Sequence, residues 1–486
     1  MDIVVFYGIY ILMAFTIAIG FVFIVGGTMH FGVKRPDGFL PYLFVPMVLA
    51  IAVATLASGR NLGLEGLEGL PPDAADMAAG GSAAKWTQRA TSIFLLAASL
   101  ERIAQFILAK RQLNTPRALM IAYVIFWVCS VALPAALGTR PTVSHEFLYA
   151  LIIGTGALLT TENGARRTVI WARNALFAFM ALGLLFLAVK KNLVLAPYTG
   201  GLIPGFNVRY SGLSSGPNAM GPLAVLGLIC LWCMPYQRRS VQSAAWLVGA
   251  ATLILTQSRT SWIAALLCLL TLVYFQYRGR IGAGLAQGRY KLQSQFLLGA
   301  LAVLVLVFMA VAVSGALGAR VEKFLASRTG SDLVTLTGRT EIWAVAIEEW
   351  RRSPLFGYGP DIWDPYHRFQ IGYSAAFHAH NQFLNVLAAS GLIGLLSFLV
   401  YLVALVARVL PRLAAFKGMP AALAVLLLVR SISEVPIGLH SFGSESLFHI
   451  LLLMLVAGAP ATVRLRKPVQ ARAWADTEQQ EGMQGA

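Results

Sequence analysis

Residues 380–408 read HNQFLNVLAASGLIGLLSFLVYLVALVAR. A polar tripeptide opens the stretch, and no charged side chain follows from Phe383 to Ala407, which is more than the roughly 20 apolar residues a helix needs to cross a bilayer. Similar apolar runs, closed by short polar or basic links, recur along the chain. The 486 residues are 58% hydrophobic and 12% charged, with a mean hydropathy of +0.71, whereas a soluble domain carries roughly 25% charged residues. This composition predicts an all-α polytopic membrane protein with about 12–14 transmembrane helices. It leaves little material for a separate soluble domain, so residues 1–465 are expected to form one unit and 466–486 a disordered tail.

The apolar runs place spans near 3–27, 39–57, 91–109, 118–138, 145–161, 168–189, 217–235, 241–256, 260–277, 295–315, 381–407, 419–436 and 446–463. Basic residues gather in alternate links: Lys34 and Arg35; Lys110, Arg111 and Arg117; Arg166, Arg167 and Arg173; Arg238 and Arg239; Arg278 and Arg280; Arg408, Arg412 and Lys417. Such alternation marks the cytoplasmic side. The other side then receives the Gly/Ala/Glu-rich segment 58–90, the loop 192–216, a tight corner at 256–261, the long loop 318–379 and a corner around His440. The formal charge of +17 therefore belongs to topology and anionic headgroups, and the absence of a basic face argues against nucleic acid as a partner.

Cys129, Cys230, Cys233 and Cys268 all lie inside apolar runs. Cys230 and Cys233 have CxxC spacing, but no second pair or histidine pair accompanies them, so they read as small core residues. The N-terminus has no basic region ahead of its first apolar run, which suits an uncleaved anchor with a short outward end.

In the long loop, Ile342, Trp343, Ala346, Ile347 and Trp350 fall at helical spacing and predict an amphipathic helix on the bilayer or on other helices. Thr337 and Gly338 are candidate caps. They place Arg339 in the first turn, where the helix dipole disfavours a cation; a bound anion would reverse that sign, and contact with Glu341 or solvent is the simpler reading. His380 precedes the next span, where the positive helix end favours a neutral ring able to accept a proton. If that helix is continuous, Gly391 lies within about 20° of the His380 direction and about 16 Å deeper, with Gly394 on the same stripe. Small residues there suit a lipid chain or a closely packed helix.

Arg259 sits in Ser258-Arg259-Thr260-Ser261, a hairpin corner between two spans, and Arg209 lies just before Gly216-Pro217-Asn218. Either could snorkel to the interface; together with Arg339 they could clamp a phosphate-rich ligand bidentately. Tyr358, Trp363, Tyr366, Phe369, Tyr373 and Phe377 with Asp361 and Asp364 could hold sugars, or form an ordinary aromatic belt. His367, His378, His380 and the aspartates are a possible metal set, but no recognised ligand spacing supports it and none is assigned. Glu101 with Arg102, and Arg430 with Glu434, are charged pairs within spans and are expected to face the interior; the second pair lies near the outward end and could buttress the site. No GxxxxGK[ST] or Asp-x-Asp motif is present, so the sequence offers no sign of nucleotide-driven chemistry or of a metal-bound nucleotide sugar, and no cofactor is expected.

His380-Asn381 followed by Gly391-Leu392-Ile393-Gly394 resembles the signature of the O-antigen ligase and Wzy polymerase family of bacterial membrane glycosyltransferases. The resemblance extends through Arg209 with Pro217-Asn218, Ser258-Arg259-Thr260, Gly338-Arg339 with Trp343, and Gly357-Tyr358-Gly359, and covers residues 200–460. It implies a GT-C-like fold in the bacterial inner membrane that transfers glycan from an undecaprenyl-pyrophosphate carrier at the periplasmic face, by a metal-independent inverting mechanism. His380 would be the general base, Arg259 and Arg339 would hold the pyrophosphate with Arg209 as a further contact, and Asn381, Gly391, Gly394, Tyr358, Trp363, Asp361, Arg430 and Glu434 would support the site or contact glycan. The segment Arg430-Ser431-Ile432-Ser433-Glu434 and the Gly357-Tyr358-Gly359 turn are more similar to exopolysaccharide polymerases of the ExoQ type than to ligases. The implied partners are the lipid-linked donor, a glycan acceptor, membrane lipids, and flippase and chain-length regulator proteins.

Overall fold

The computed structural model describes residues 26, 27, 30, 37–58, 82–108, 116–198, 207–287, 339–372, 376–439 and 443–459. The expected span 295–315 and almost all of 3–27, the candidate caps Thr337 and Gly338, Tyr373, His440 and the tail lie outside them. The described chain is helical apart from one short ribbon. Its helices of six residues or more are α1 (Phe44–Ala57), α2 (Ser82–Leu108), α3 (Arg117–Trp127), α4 (Phe147–Leu158) and α5 (Glu162–Val189). Strands β1 (Leu195–Pro197) and β2 (Val208–Tyr210) then pair antiparallel, with Leu195 opposite Tyr210. The chain continues through α6 (Pro217–Cys233), α7 (Arg239–Leu255), α8 (Arg259–Gln287), α9 (Arg339–Arg352), α10 (Pro365–Gln370), α11 (Gln382–Val409), α12 (Met419–Ser433) and α13 (Ser446–Gly458).

Among the described residues, seven helical segments are long and apolar enough to cross a membrane: Leu40–Ala57, Ala84–Leu108, Arg117–Leu137, Glu162–Val189, Arg259–Tyr277, Gln382–Arg412 and Ala415–Ser433. Phe147–Leu158, Pro217–Cys233 and Ser446–Gly458 are shorter apolar helices. The protein is an all-α multi-pass membrane protein, and every span inferred on described residues coincides with a helix.

Two helices form the centre. In α13 every residue from Ser446 to Ala457 is buried, as expected of a helix that is apolar on all faces; it packs against α4, α5 and α12. Helix α6 is buried along most of its length among α5, α7 and α8, and Pro217 at its first turn supplies a preset φ without costing a hydrogen bond. Glu101 and Arg102 turn inward as expected of charges in a span. Glu101 accepts from the Phe39 amide at 3.2 Å, Arg102 Nε donates to the Leu159 carbonyl at 2.7 Å, and Gln105 bridges the two, accepting from Arg102 Nη1 at 3.0 Å and donating to Glu101 Oε1 at 3.4 Å.

Helix α11 leans on α3, where Phe126 meets Phe398 at 5.2 Å and stacks on Tyr401 at 5.3 Å. It is not a continuous helix. Gly391 has φ 62° and ψ −161°, a conformation essentially restricted to glycine, and the segment 354–359 lies along the break. Leu392 N–H donates to Pro354 O at 2.9 Å, Ile393 N–H to Leu355 O at 3.3 Å, Tyr358 N–H to Ala388 O at 2.9 Å and Gly359 N–H to Ala389 O at 3.0 Å. The stripe inferred for His380, Gly391 and Gly394 assumed an unbroken 100° rotation per residue, so it does not exist. Gly391 faces the Leu355 carbonyl and Gly394 faces Ser390 and Ser130. Both glycines permit close packing, and neither lines a groove beneath the histidine.

Candidate functional site

Helix α11 starts at Gln382 because the Asn381 side chain caps it, its Oδ1 accepting from the amides of Phe383 at 3.0 Å and Leu384 at 3.1 Å. Just outside the cap, His380 adopts φ 48°, an uncommon backbone state for a residue with a side chain, retained only where its surroundings fix it. The surroundings are visible. The Trp343 indole of α9 donates to Ala379 O at 2.8 Å, while Asn385 Oδ1 accepts from the Ala379 amide at 3.1 Å and from the Trp363 indole at 2.8 Å. Two tryptophans and an asparagine thus pin the turn that presents His378 and His380.

Glu434, immediately past the end of α12, receives both histidines. Its Oε2 lies 2.9 Å from His380 Nδ1 and 3.4 Å from His378 Nε2, and its Oε1 lies 3.3 Å from Arg339 Nη2 and 3.8 Å from Arg430 Nη2. Burial pushes the carboxyl pKa up, but the hydrogen bond from His380 and the charge of Arg430 outweigh it and bring it to about 2. An ionised acceptor at Nδ1 places the ring proton of neutral His380 on Nδ1 and leaves Nε2 with its lone pair free, the logic by which a buried carboxylate orients a catalytic imidazole. His378 is held neutral: burial first, then the neighbouring His380 ring, lower its pKa to about 4 against the pull of Glu434.

Arg430 is fully buried and gives its main contacts to Glu445, with Nη2 to Oε1 at 2.6 Å and Nε to Oε2 at 3.1 Å. The anticipated pairing with Glu434 four residues on is the longer contact. Arg430 also donates to Thr260 Oγ1 at 3.3 Å and Asn218 O at 3.2 Å, tying the α8 corner and the start of α6 to the Glu434 hub. On the far side of Asn218, Arg209 Nη2 donates to Asn218 Oδ1 at 2.8 Å and its Nε to Thr256 O at 2.9 Å, and its guanidinium lies 4.9 Å from the Tyr198 ring centre. Burial lowers the Arg209 pKa, Tyr198 opposes that, and the nearby charge of Arg259 lowers it further. Arg259 itself, half-buried at the start of α8, makes no hydrogen bond or ion pair with any described residue.

The fold therefore brings Arg209, Arg259, Arg339, Arg430, Glu434, Asn381 and His380 to one end of the bundle through a chain of direct contacts and near neighbours. Arg339 finds its counter-charge in Glu434, neither in Glu341 nor in solvent. Other candidates fall elsewhere. Tyr358 belongs to a separate cluster, its ring 4.4 Å from that of His367, beside Arg140. Trp363 reaches the histidine turn through its hydrogen bond to Asn385 and by packing against the apolar cluster that includes Ala379. Among the described residues no side-chain contact joins Asp361 to the site. Sequence reasoning did not single out Glu445, Asn385 or Thr260 as site residues, and gave His378 no role beside His380. The His378-x-His380 spacing was the available signal for His378; Glu445 offered only an isolated acid before an apolar run.

The ligating atoms of His378, His380 and Glu434 lie within 4.8 Å of one another, a spacing a cation could bridge. Their hydrogen bonds argue against it. His378 Nδ1 accepts from the His380 amide at 3.2 Å, so its proton is on Nε2, the atom a metal would need; a metal-bound histidine normally donates from its other nitrogen. Arg339 and Arg430 already neutralise Glu434. The donor set does not fit a resident metal.

The fold and this site define a multi-pass membrane protein with a carboxylate-oriented histidine among arginines at one end of its helices. Residues 243–399 match the family model described as O-antigen ligase, a segment that includes Arg259, Arg339, His380, Gly391 and Gly394. That segment, about a third of the chain, is similar to the O-antigen ligase and Wzy-like family. It is also 38% identical over 71 residues to the exopolysaccharide production protein ExoQ of Rhizobium meliloti (strain 1021), a match covering 12% of this chain and 16% of that protein.

Proposed function

We propose that this protein polymerises oligosaccharide repeat units carried on undecaprenyl pyrophosphate, at the periplasmic face of a bacterial inner membrane. The observation that carries the reading is the His380–Glu434 contact, joined through Arg430 and Thr260 to the residue next to Thr260, Arg259, a guanidinium with no partner among the described residues. The acceptor hydroxyl gives its proton to His380 Nε2 while its oxygen attacks the anomeric carbon. The bond from that carbon to the pyrophosphate oxygen breaks, and the leaving group takes the electron pair. Attack opposite the leaving group inverts the anomeric centre.

Glu434 stays ionised throughout and steadies the imidazolium as it forms, a contribution of about 10² to 10⁴-fold for base catalysis. Negative charge collects on the departing pyrophosphate, facing Arg259 with Arg209 and Arg339 beside it. Four guanidinium groups share two carboxylates here, so the site keeps a positive field. Preorganised donors in a drier site are worth several kcal/mol in such transition states. The donor brings its own energy, so no nucleotide enters.

Flippase and chain-length regulator proteins are the expected partners of such a polymerase. In cells carrying His380→Ala, single repeat units should accumulate on the lipid carrier while the protein is still inserted; unchanged polymer length would refute the proposal. The family description favours a second reading, a ligase that passes finished glycan to lipid A-core or protein. Purified acceptors distinguish the two, since only a ligase shifts an acceptor band.

A further inference from the structure

A second concentration of cations lies at the opposite end of α11 and α12 from His380 and Glu434. Arg166 and Arg173 of α5, Arg238 just before α7 and Lys417 in the turn between α11 and α12 line a cavity of about 750 Å³, whose described lining includes no aspartate or glutamate. Arg166, Arg238 and Lys417 are exposed, and their side chains make no hydrogen bond or ion pair with a described residue. Arg173 is held in place, with Nη1 on the Met234 carbonyl and its guanidinium 3.7 Å from the Tyr236 ring centre.

The backbone adds to the same field. Helix α7 begins at Arg239 with Arg238 as its N-cap and no side-chain cap, so an uncapped, positive helix end lies beside the pocket-lining Arg238. The turn that presents Lys417 is held open at a conformational cost: Phe416 and Lys417 have φ 47° and 59°, followed by Gly418 at 92°. A Cβ on Gly418 would come within 2.7 Å of Phe275 Cβ, so the turn is wedged against α8. Gathering like charges in a concave site is unfavourable until an anion enters. Ile170, Val241 and Phe416 supply an apolar wall beside the cations, and a soluble anion has no use for one.

We propose that this pocket binds the phosphate headgroup of an anionic phospholipid, its acyl chains lying along that apolar wall. The test uses the purified full chain, delipidated in non-ionic detergent and titrated with phosphatidylglycerol, phosphatidylcholine or inorganic phosphate, with bound lipid read by native mass spectrometry. The comparison variant is Arg238→Gln with Lys417→Gln, two exposed side chains whose loss removes no internal contact; Arg351→Gln, an exposed site on α9, is the control for general charge loss. Phosphatidylglycerol binding should weaken roughly thirtyfold in the double variant, about 1 kcal/mol for each cation, and stay unchanged in the control with the melting temperature preserved. Equal binding by wild type and double variant would overturn the proposal. So would phosphatidylcholine binding as tightly as phosphatidylglycerol, or inorganic phosphate binding as tightly as the lipid, which would make the pocket a site for a soluble anion.

Discussion

His380 Nδ1 stands 2.9 Å from Glu434 Oε2, so an imidazole just before one helix is oriented by a carboxylate at the end of the next. The pairing gives Glu434 a role separable from simple charge balance. Glu434→Gln keeps the shape but removes the ionised acceptor that fixes the His380 tautomer, and transfer should fall by about 10² to 10⁴-fold. Glu434→Asp, which keeps the charge on a shorter arm, should retain more activity than the glutamine variant. Transfer rates on a lipid-linked repeat unit check this, and a glutamine variant within threefold of wild type would show that the histidine does not depend on its carboxylate.

Arg259 and Arg339 should separate function from stability. Arg259 has no internal partner among the described residues, so Arg259→Gln should leave the melting temperature near that of wild type, within about 0.5 kcal/mol, while transfer drops by roughly 10² to 10³-fold if the arginine meets the leaving group. Arg339→Gln loses its 3.3 Å contact with the buried Glu434 carboxylate and should lower both. Equal losses of stability in the two variants would place Arg259 in the framework and leave the pyrophosphate without its proposed holder.

Much of this arrangement was legible in the sequence, and the reasons for success and failure differ. Apolar runs announced the helices because burial in lipid demands them locally. The grouping of Arg209, Arg259, Arg339 and His380 came from motifs in order. Their mutual contacts did not, because they run through residues far apart in sequence: Glu434 to Arg339, Arg430 to Asn218, Arg430 to Glu445. The ribbon of Leu195–Pro197 and Val208–Tyr210 was invisible in strands of three residues. Gly391 misled because a glycine in an apolar run looks the same whether it relieves packing or breaks the helix.

Acid should loosen the site in a defined order. His378 is held near pKa 4, below its ordinary value of 6.5, so the unfolded chain takes up a proton first; stability is full above about 6.5 and is lost as pH falls toward 4. Glu434, held near 2 against an ordinary 4.5, adds a second loss that begins below about 4.5 and continues toward 2. His367 is lowered in the same direction by burial, so melting temperature in detergent should decline in two stages, and His378→Phe should reduce the first while leaving the second. A wild-type melting curve unchanged between pH 7 and 5 would contradict the buried, neutral His378.

Gly391→Ala should be among the most damaging single substitutions in the chain, for a reason unrelated to chemistry at His380. At φ 62° and ψ −161° an alanine is strained by about 1–3 kcal/mol, and its Cβ would also collide with the Leu355 carbonyl. Relief by restoring a straight helix is blocked, since the break carries hydrogen bonds from Leu392 and Ile393 to Pro354 and Leu355. Those bonds hold the segment 354–359 against α11, close to α9 with Trp343 and to Trp363, so the damage should spread to the turn that aims His380. Gly394→Ala makes an informative companion. Its Cβ would collide with the Cβ of Ser390 as well as its hydroxyl and come within 3.3 Å of Ser130 Oγ, a clash that turning the serine hydroxyl relieves only in part, but the backbone there is helical and carries no strain of its own. The expected ranking, read as folded yield and melting temperature, is wild type above Gly394→Ala above Gly391→Ala. Reversal of the last two would mean that α11 runs straight through Gly391.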